Sequence, residues 1–393
     1  MNLQALAVAL KDKARSLGFD LVGITTPDPP EHFEVYRRWV AAGYHGDMHY
    51  LATERALARR ADPRRILPEC ESIVVLGVRY PAPPEDIPPH PQDHPRGRVA
   101  AYAWGADYHD VLPPRLRALV QFLEARVGHA IPHRVYTDTG PVLERDLAQR
   151  AGLGWIGKHG NLIAPRRGSY YLLAEILLGL PLPPDPPFPT DHCGSCTRCI
   201  DACPTQCILP DRTIDARRCL SYLTIENKGP IPLALRPHLG HWVFGCDVCQ
   251  MVCPWNRRFA TPEGDPALAP RPEVPFPDLL ADMALTPEAF RRKFKGSPIK
   301  RAKRRGYLRN VAVALGNRGD PRAVPVLAAA LEDAEPLVRR HAAWALGQLG
   351  GDAACAALQA ALARETDPDV LAELHRAWQH CVSGGDRPGP RTR

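Results

Sequence analysis

The sequence predicts a multidomain protein of α/β + α class: an α/β domain, a ferredoxin-like domain with two 4Fe-4S clusters, and a C-terminal α-solenoid of HEAT-like repeats. Three observations predict it. Residues 1–188 mix helical periods with short β-rich runs, nine cysteines fall between Cys193 and Cys253, eight of them at cluster-like spacings, and a 31-residue repeat begins near residue 307. A chain of 393 residues exceeds one ordinary core, so two or three domains are expected. With 45% hydrophobic and 24% charged residues it reads as soluble and globular, while its 43 prolines call for stiff, irregular connections.

The first element is a helix with Leu3, Leu6, Leu10 and Leu17 near one face. Lys11, Asp12, Lys13 and Arg15 interrupt it, which is not the pattern of a signal peptide. Ile73 to Val78 and Tyr170 to Ala174 read as strands. The proline-rich stretch 81–95 divides this domain, and a second such stretch, 181–189, marks its end. The most apolar run, residues 170–182, contains Glu175 and is well short of the roughly 20 residues needed to span a bilayer. A cytoplasmic protein with no membrane partner is therefore expected.

Without an export signal, twelve cysteines are expected to serve as metal ligands or reactive thiols rather than as a disulfide framework. Cys193, Cys196, Cys199 and Cys203, followed by Pro204, have the C-x2-C-x2-C-x3-C-P spacing in which three thiolates wrap one cube and the fourth reaches a neighbour. Cys246, Cys249 and Cys253 with Pro254 supply three more, and Cys219 is the natural eighth. Cross-ligation then assigns Cys193, Cys196, Cys199 and Cys253 to one cluster and Cys203, Cys219, Cys246 and Cys249 to the other. Four-thiolate zinc is the competing reading, although zinc ribbons rarely crowd four cysteines into 11 residues ending in Cys-Pro. Cys207 is spare, and Cys70, Cys355 and Cys381 are isolated and expected to be small buried packing. Two adjacent cubes make an electron wire whose terminus should lie in the preceding domain.

In that domain, Gly152, Gly154 and Gly157 match G-x-G-x-x-G, and Lys158 follows as in a phosphate loop. A nucleotide loop must follow a strand and open a helix, whereas here 142–151 reads as helix and 161–164 as extended. The glycines are expected instead to let backbone pass close to a large planar cofactor, with Lys158 and Asn161 as polar contacts. Asp138 lies in a turn-prone segment and is either a functional acid or a helix N-cap. Tyr102, Trp104, Tyr108 and His109 could line a pocket or form a core corner.

Residues 309–319 align with 340–350, each an Ala/Leu-rich helix closed by Gly. HEAT-type repeats explain this, and an Ala-rich helical bundle is the alternative. The stretch 291–309 carries ten basic residues and no acid, within a chain of net charge +7. Lys300, Arg301, Lys303, Arg304 and Arg305 could track an RNA backbone while Phe294 or Tyr307 stacks on a splayed base; a solvated helical face would look similar.

Taken in order, Asp138-Thr-Gly-Pro-Val-Leu-Glu-Arg145, Gly154-Trp-Ile-Gly-Lys158, the paired cysteine groups, Ser221-Tyr-Leu-Thr-Ile-Glu226, Gly245-Cys-Asp-Val-Cys-Gln250 and Leu308-Arg-Asn-Val-Ala312 resemble the epoxyqueuosine reductases over nearly the whole chain. The reductive dehalogenase core is similar but lacks a tRNA-binding element. The resemblance implies cobalamin bound over the α/β domain, contacted by Arg60, Tyr102, Asp138, Lys158, Asn161, Ser169 and Asp247. It also implies reduction of epoxyqueuosine to queuosine at the wobble position of tRNA, with electrons passing through the cubes to cobalt and Asp138 giving a proton. Lys158-His-Gly-Asn161 departs from the Lys-Asn-Ser or Lys-Asn-Thr expected at that loop.

The expected domains are 1–188 (cobalamin-binding and catalytic), 189–260 (two clusters), 261–306 (basic linker), 307–382 (HEAT-like repeats) and a disordered tail, 383–393. The expected partners are epoxyqueuosine-containing tRNA and a low-potential electron donor, and a monomer is expected. A small-molecule reductase acting on, for example, an organohalide, and an electron-transfer adaptor are the competing readings. The basic stretch and repeats favour RNA, and 185 residues of α/β sequence are too many for an adaptor.

Overall fold

The computed structural model describes residues 2–83 and 95–383. Most of the proline-rich stretch 81–95 and the tail beyond 383 lie outside the described residues. The chain divides into two compact units, Met1–Ile87 with Gly105–Arg217 and Asp247–Pro270, and Pro88–Trp104 with Arg218–Cys246 and Arg271–Arg393.

The first unit is built on a four-stranded sheet of β1 (Leu21–Thr25), β2 (Ser72–Arg79), β3 (His133–Tyr136) and β4 (Tyr171–Leu178), in the order β1-β2-β4-β3. The expected helix and strand content is present, but every pairing in this sheet is antiparallel. Strand direction is set by how distant segments return, which no local pattern carries. β2 and β4 are central, and β2 from Ile73 to Val78 is shielded from solvent on both faces. Helix α1 (Leu3–Ser16) packs on β1 and on α2 (Tyr108–Val127), and α2 packs on β3 and β4. Helix α3 (Glu144–Arg150) buries Leu147 and Ala148 against Ile73, Val75 and Leu177.

The glycine loop is a helix followed by a hairpin, α3 and then Trp155–Ile156 paired with Leu162–Ile163, so its order is not that of a nucleotide loop. Two of its glycines are required by the chain's own packing. A Cβ on Gly154 would stand 2.1 Å from the Ile163 carbonyl oxygen, and one on Gly152 would stand 2.7 Å from that of Pro186.

In the second unit Arg98–Val99 pairs in parallel with Trp242–Phe244. Helices α4 (Lys303–Arg318), α6 (Pro336–Leu349) and α8 (Pro368–Val382) pack in succession, while α5 (Val324–Ala330) and α7 (Asp352–Leu362) lie against them and each other. Gly316 and Gly347 occupy the same place in successive repeats. A Cβ there would lie 2.7 Å from Trp344 and 2.9 Å from Ala377 respectively, so each lets the next helix approach. Cys355 on α7 and Cys381 on α8 are joined as a disulfide, with Cα atoms 5.8 Å apart, which corrects their reading as isolated packing residues. Twenty-six residues separate them in sequence, and only the pairing of the two helices brings them together.

Arg309 and Asn310 of α4 are fully buried. The Arg309 guanidinium donates to the carbonyls of Leu223, Asn227 and Gly229, and the Asn310 amide to those of Thr224 and Val243. The 223–243 segment thus gets its unmet carbonyls satisfied by one turn of α4. Among the described residues, no helix is long and apolar enough to cross a membrane.

Candidate active site

A cavity of about 130 Å³ opens in the first unit, lined among others by Tyr80, Tyr108, Asp138, Glu144, Asn161, Ser169 and Tyr171. Three elements aim side chains into it. Asp138 follows β3 with φ 59°, a left-handed conformation that Asp adopts more readily than most residues. It is not an N-cap, because α3 begins six residues later and Leu143 occupies the cap. Tyr108 opens α2, and its hydroxyl donates to Asp138 Oδ2 at 2.9 Å. Glu144, the first residue of α3, accepts the Asp138 backbone N–H at 2.8 Å and fixes the turn.

His109 stands behind Asp138. Its Nδ1 is 2.8 Å from the buried Asp107 carboxylate and its Nε2 is 3.6 Å from Asp138 Oδ2. The bond to Asp107, and then the nearby Asp138 carboxylate, raises its pKa to about 9, so the ring is a cation at neutral pH. Burial, and then the Asp138 charge, raises Glu144 to about 7. Glu175, at the middle of β4, is 0% exposed and both its carboxylate oxygens are without a hydrogen-bond partner among the described residues. Burial, followed by the charges of Glu144 and Asp138, pushes its pKa well above that of an ordinary glutamate.

The sequence-predicted site residues are dispersed around this centre. Asp138, Asn161 and Ser169 line the cavity together. The Ser169 hydroxyl donates to Gln250 Oε1 at 2.8 Å and its backbone N–H to Asn256 Oδ1 at 2.7 Å, joining the cavity wall to the segment bearing Cys249 and Cys253. Lys158 Nζ donates to the carbonyls of Gly194 and Cys196, where it pins the first cysteine loop. The Arg60 guanidinium lies 5.4 Å over the Tyr36 ring and 3.5 Å from the Gly140 carbonyl, beside the Asp138 turn. Asp247 is buried, and its charge contributes, after burial, to raising Tyr80 and Tyr170. Tyr102 belongs to the second unit, with its ring 6.2 Å from that of Phe244.

Glu144 and Glu175 are the functional candidates that sequence reasoning missed. Glu144 lay in a quoted motif, and Glu175 was read only as a charge interrupting an apolar run. A lone carboxylate inside an otherwise buried strand was itself the signal.

Cys193, Cys196, Cys199 and Cys253 all belong to the first unit. Burial raises the Cys199 thiol to about 11, and the charges of Cys193, Cys253 and Cys196 add to the effect. Cys193 and Cys253 pack with Trp155, Ile163 and Trp255. Of the other four, Cys203 and Cys249 belong to the first unit and Cys219 and Cys246 to the second. The spare Cys207 lies with its Sγ 3.4 Å from that of Cys203. Among the described residues no three His, Cys, Asp or Glu side chains converge as they would around a single metal ion.

The basic stretch belongs to the second unit. Lys300, Arg301, Lys303 and Arg305 are exposed, while Arg304 is partly buried, bonded to Asp333 and to the Leu285 carbonyl. Arg301 pairs with Glu226 at 2.7 Å. Phe294 and Tyr307 are buried, at 2% and 0% exposure, so neither stacks on a base. They pack on Phe290 and each other, and the Tyr307 hydroxyl donates to Asp282.

Three family models match the chain: "4Fe-4S double cluster binding domain" over residues 192–256, "Epoxyqueuosine reductase QueG, DUF1730" over 60–139, and "HEAT repeats" over 302–377. The epoxyqueuosine reductase of Pseudomonas aeruginosa is 41% identical over 348 residues, covering 88% of this chain and 95% of the relative. The chain belongs to the epoxyqueuosine reductase family. The family member from Escherichia coli K12 is 38% identical over 350 residues, covering 88% of this chain and 90% of its own. A crystal structure of epoxyqueuosine reductase with an epoxyqueuosine-modified tRNA-Tyr stem loop aligns with TM-score 0.89 and 34% identity, covering 97% of this chain and 100% of that one. The Bacillus subtilis epoxyqueuosine reductase, solved with its catalytic Asp loop swung out of the active site, aligns with TM-score 0.87 and 33% identity, covering 96% and 100%. As an epoxyqueuosine reductase family member with the double-cluster domain, the chain carries iron–sulfur clusters, and the competing zinc reading falls away.

Proposed function

We propose that this chain reduces epoxyqueuosine to queuosine in tRNA, with Asp138 as the proton donor. The observation that carries the reading is the Asp138 turn itself: a carboxyl at the cavity wall, held by the Tyr108 hydroxyl and braced by Glu144. An acid so placed can protonate the departing epoxide oxygen while its neighbours fix its direction.

Electrons would enter through two cubes, one on Cys193, Cys196, Cys199 and Cys253, the other on Cys203, Cys219, Cys246 and Cys249. Support lies in the residues that clamp this segment to the cavity wall, namely Lys158 on the first cysteine loop and Ser169 on Gln250 and Asn256. The polar lining suits cobalamin, whose rim amides need hydrogen-bond partners, and Asn161 and Ser169 would hold it at the cavity, with Arg60, Tyr102, Lys158 and Asp247 as outer contacts. When bound, cobalamin supplies the low-valent cobalt that delivers electrons to the substrate. Tyr108 and Glu144 orient Asp138, and the His109 ring stands 3.6 Å from its Oδ2.

The HEAT repeats and the exposed Lys300, Lys303 and Arg305 would follow the tRNA backbone. We place the protein in the cytoplasm as a monomer, supplied by a low-potential electron donor. The test is anaerobic reconstitution with iron, sulfide and cobalamin, metal analysis, and mass spectrometry of nucleosides from epoxyqueuosine-containing tRNA incubated with reductant. Conversion to queuosine with iron and cobalt in the ratio of two four-iron cubes to one corrin is expected. Full cluster loading without cobalt uptake or turnover would overturn the reading.

A further inference from the structure

Glu175 has no structural task. It is opposite Val75 on β2 and Tyr136 on β3, wholly buried, with neither oxygen bonded among the described residues. An ionised carboxylate there would be strongly unfavourable, and an apolar residue would serve the strand better. Along β4 it shares a face with Leu173 and Leu177, which pack against the same cluster as Leu147 and Ala148 of α3. The face therefore turns toward the helix that Glu144 begins. The charges acting on Glu175 are those of Glu144 and Asp138, in that order.

Three carboxyls thus run in file from the sheet to the cavity: Glu175 inside, Glu144 at the wall, and Asp138 at the turn, with Glu144 bonded to the Asp138 backbone. Arg145 and Arg60 act on Glu144 from α3 and from the Arg60 helix, and each is outweighed by burial and by Asp138. Tyr108 and His109 face Asp138 from α2.

We infer that Glu144 and Glu175 form a proton store that recharges Asp138 during turnover. The inference rests on the proposed reduction. Removing the epoxide oxygen as water breaks its two C–O bonds and consumes two electrons, from the donor through the clusters, and two protons. Asp138 gives a proton and becomes a carboxylate. Glu144 passes its proton to Asp138 and takes one from Glu175, each transfer crossing an intervening water; solvent refills the pair through the cavity. Two solvent protons leave in the water formed, and every carboxyl ends as it began. Asp138 is the catalytic residue, and Glu144 and Glu175 act through it.

The test uses the reconstituted holoenzyme and its Glu144→Gln and Glu175→Gln variants with an epoxyqueuosine-containing stem loop. Steady-state kcat should fall by about tenfold or more in each, with KM for the RNA unchanged. In the parent enzyme kcat should decline as pH rises through about 7, the value at which Glu144 ionises, and this limb should vanish in Glu144→Gln. The solvent deuterium isotope effect should grow in both variants. Infrared spectra without substrate should show protonated carboxyl absorption at neutral pH, one component of which is lost in Glu175→Gln. Glu175→Leu keeps the strand apolar, so if Glu175→Gln misfolds it gives the same kinetic readouts. Parent-like kcat and pH profile in both variants, or slower turnover with an unchanged isotope effect, would overturn the store while leaving the reductase reading intact. A parent enzyme that never converts epoxyqueuosine would sink both.

Discussion

Replacing Asp138 by Asn changes one atom and leaves the turn in place. Asn tolerates φ near 59° as well as Asp does, and its amide oxygen can still accept the Tyr108 hydroxyl now 2.9 Å from Oδ2. What is lost is the proton. General acid catalysis by a positioned carboxyl is worth about two to four orders of magnitude, or roughly 3 to 5 kcal/mol of transition-state stabilisation. Single-turnover conversion of epoxyqueuosine in a stem loop, followed anaerobically by mass spectrometry, should slow by that factor while RNA affinity stays constant. A second readout comes from His109, whose pKa of about 9 rests first on Asp107 and next on Asp138. Removing the Asp138 carboxyl, which is an anion whenever it has given up its proton, should lower the His109 titration seen by NMR toward, but not to, that of free imidazole, because Asp107 remains. Turnover within about threefold of the parent enzyme would refute the donor assignment. An unmoved His109 titration would refute the geometry behind it.

Charge reversal of Lys300, Lys303 and Arg305 together should weaken stem-loop binding and reduce the slope of log affinity against log salt by about two to three, measured by titration at several ionic strengths. Unchanged affinity would remove RNA from this face. The Cys355–Cys381 disulfide closes a loop over a sequence separation of 26, which is worth about 3 kcal/mol, so reductant should lower the unfolding midpoint of the repeats and Cys355→Ser should abolish that sensitivity. Stability should also fall as pH rises. The His109 contribution is complete below about 6.5, where free imidazole also holds its proton, and is lost as pH climbs through about 9; thermal melts in this window should flatten in Asp107→Asn.

What could be read from the sequence was whatever depends on spacing. The cysteine groups, the 31-residue repeat and the misfit of Gly152 to Gly157 with a nucleotide loop are properties of neighbours along the chain. What could not be read depends on which surfaces meet. Phe294 and Tyr307 stand in a strongly basic stretch, yet they belong to a packed aromatic group in which Tyr307 of α4 meets Phe290 of an earlier helix and Phe294 at its C-cap. Arg309 counts toward the basic density but is spent on three backbone carbonyls of the 223–229 segment. The partnership of Cys355 with Cys381 needs two helices side by side, and the antiparallel sheet needs the return path of every connection. Glu175 was visible as an oddity, but its neighbour Glu144 is 31 positions away and joined to it only by the packing of α3 on β4.

That packing gives one short stretch of chain two duties. Ser169, just before β4, is bonded to Gln250 and Asn256 in the segment that bears Cys249 and Cys253. Six residues on, Glu175 lies behind the Asp138 turn. β4 is hydrogen-bonded along both edges, so the two ends cannot shift independently by much. On the proposed mechanism, electrons and protons would reach the cavity from two ends of the same rigid strand. Displacing Ser169 should accordingly disturb electron delivery without altering the pH profile, while changes at Glu175 should do the reverse.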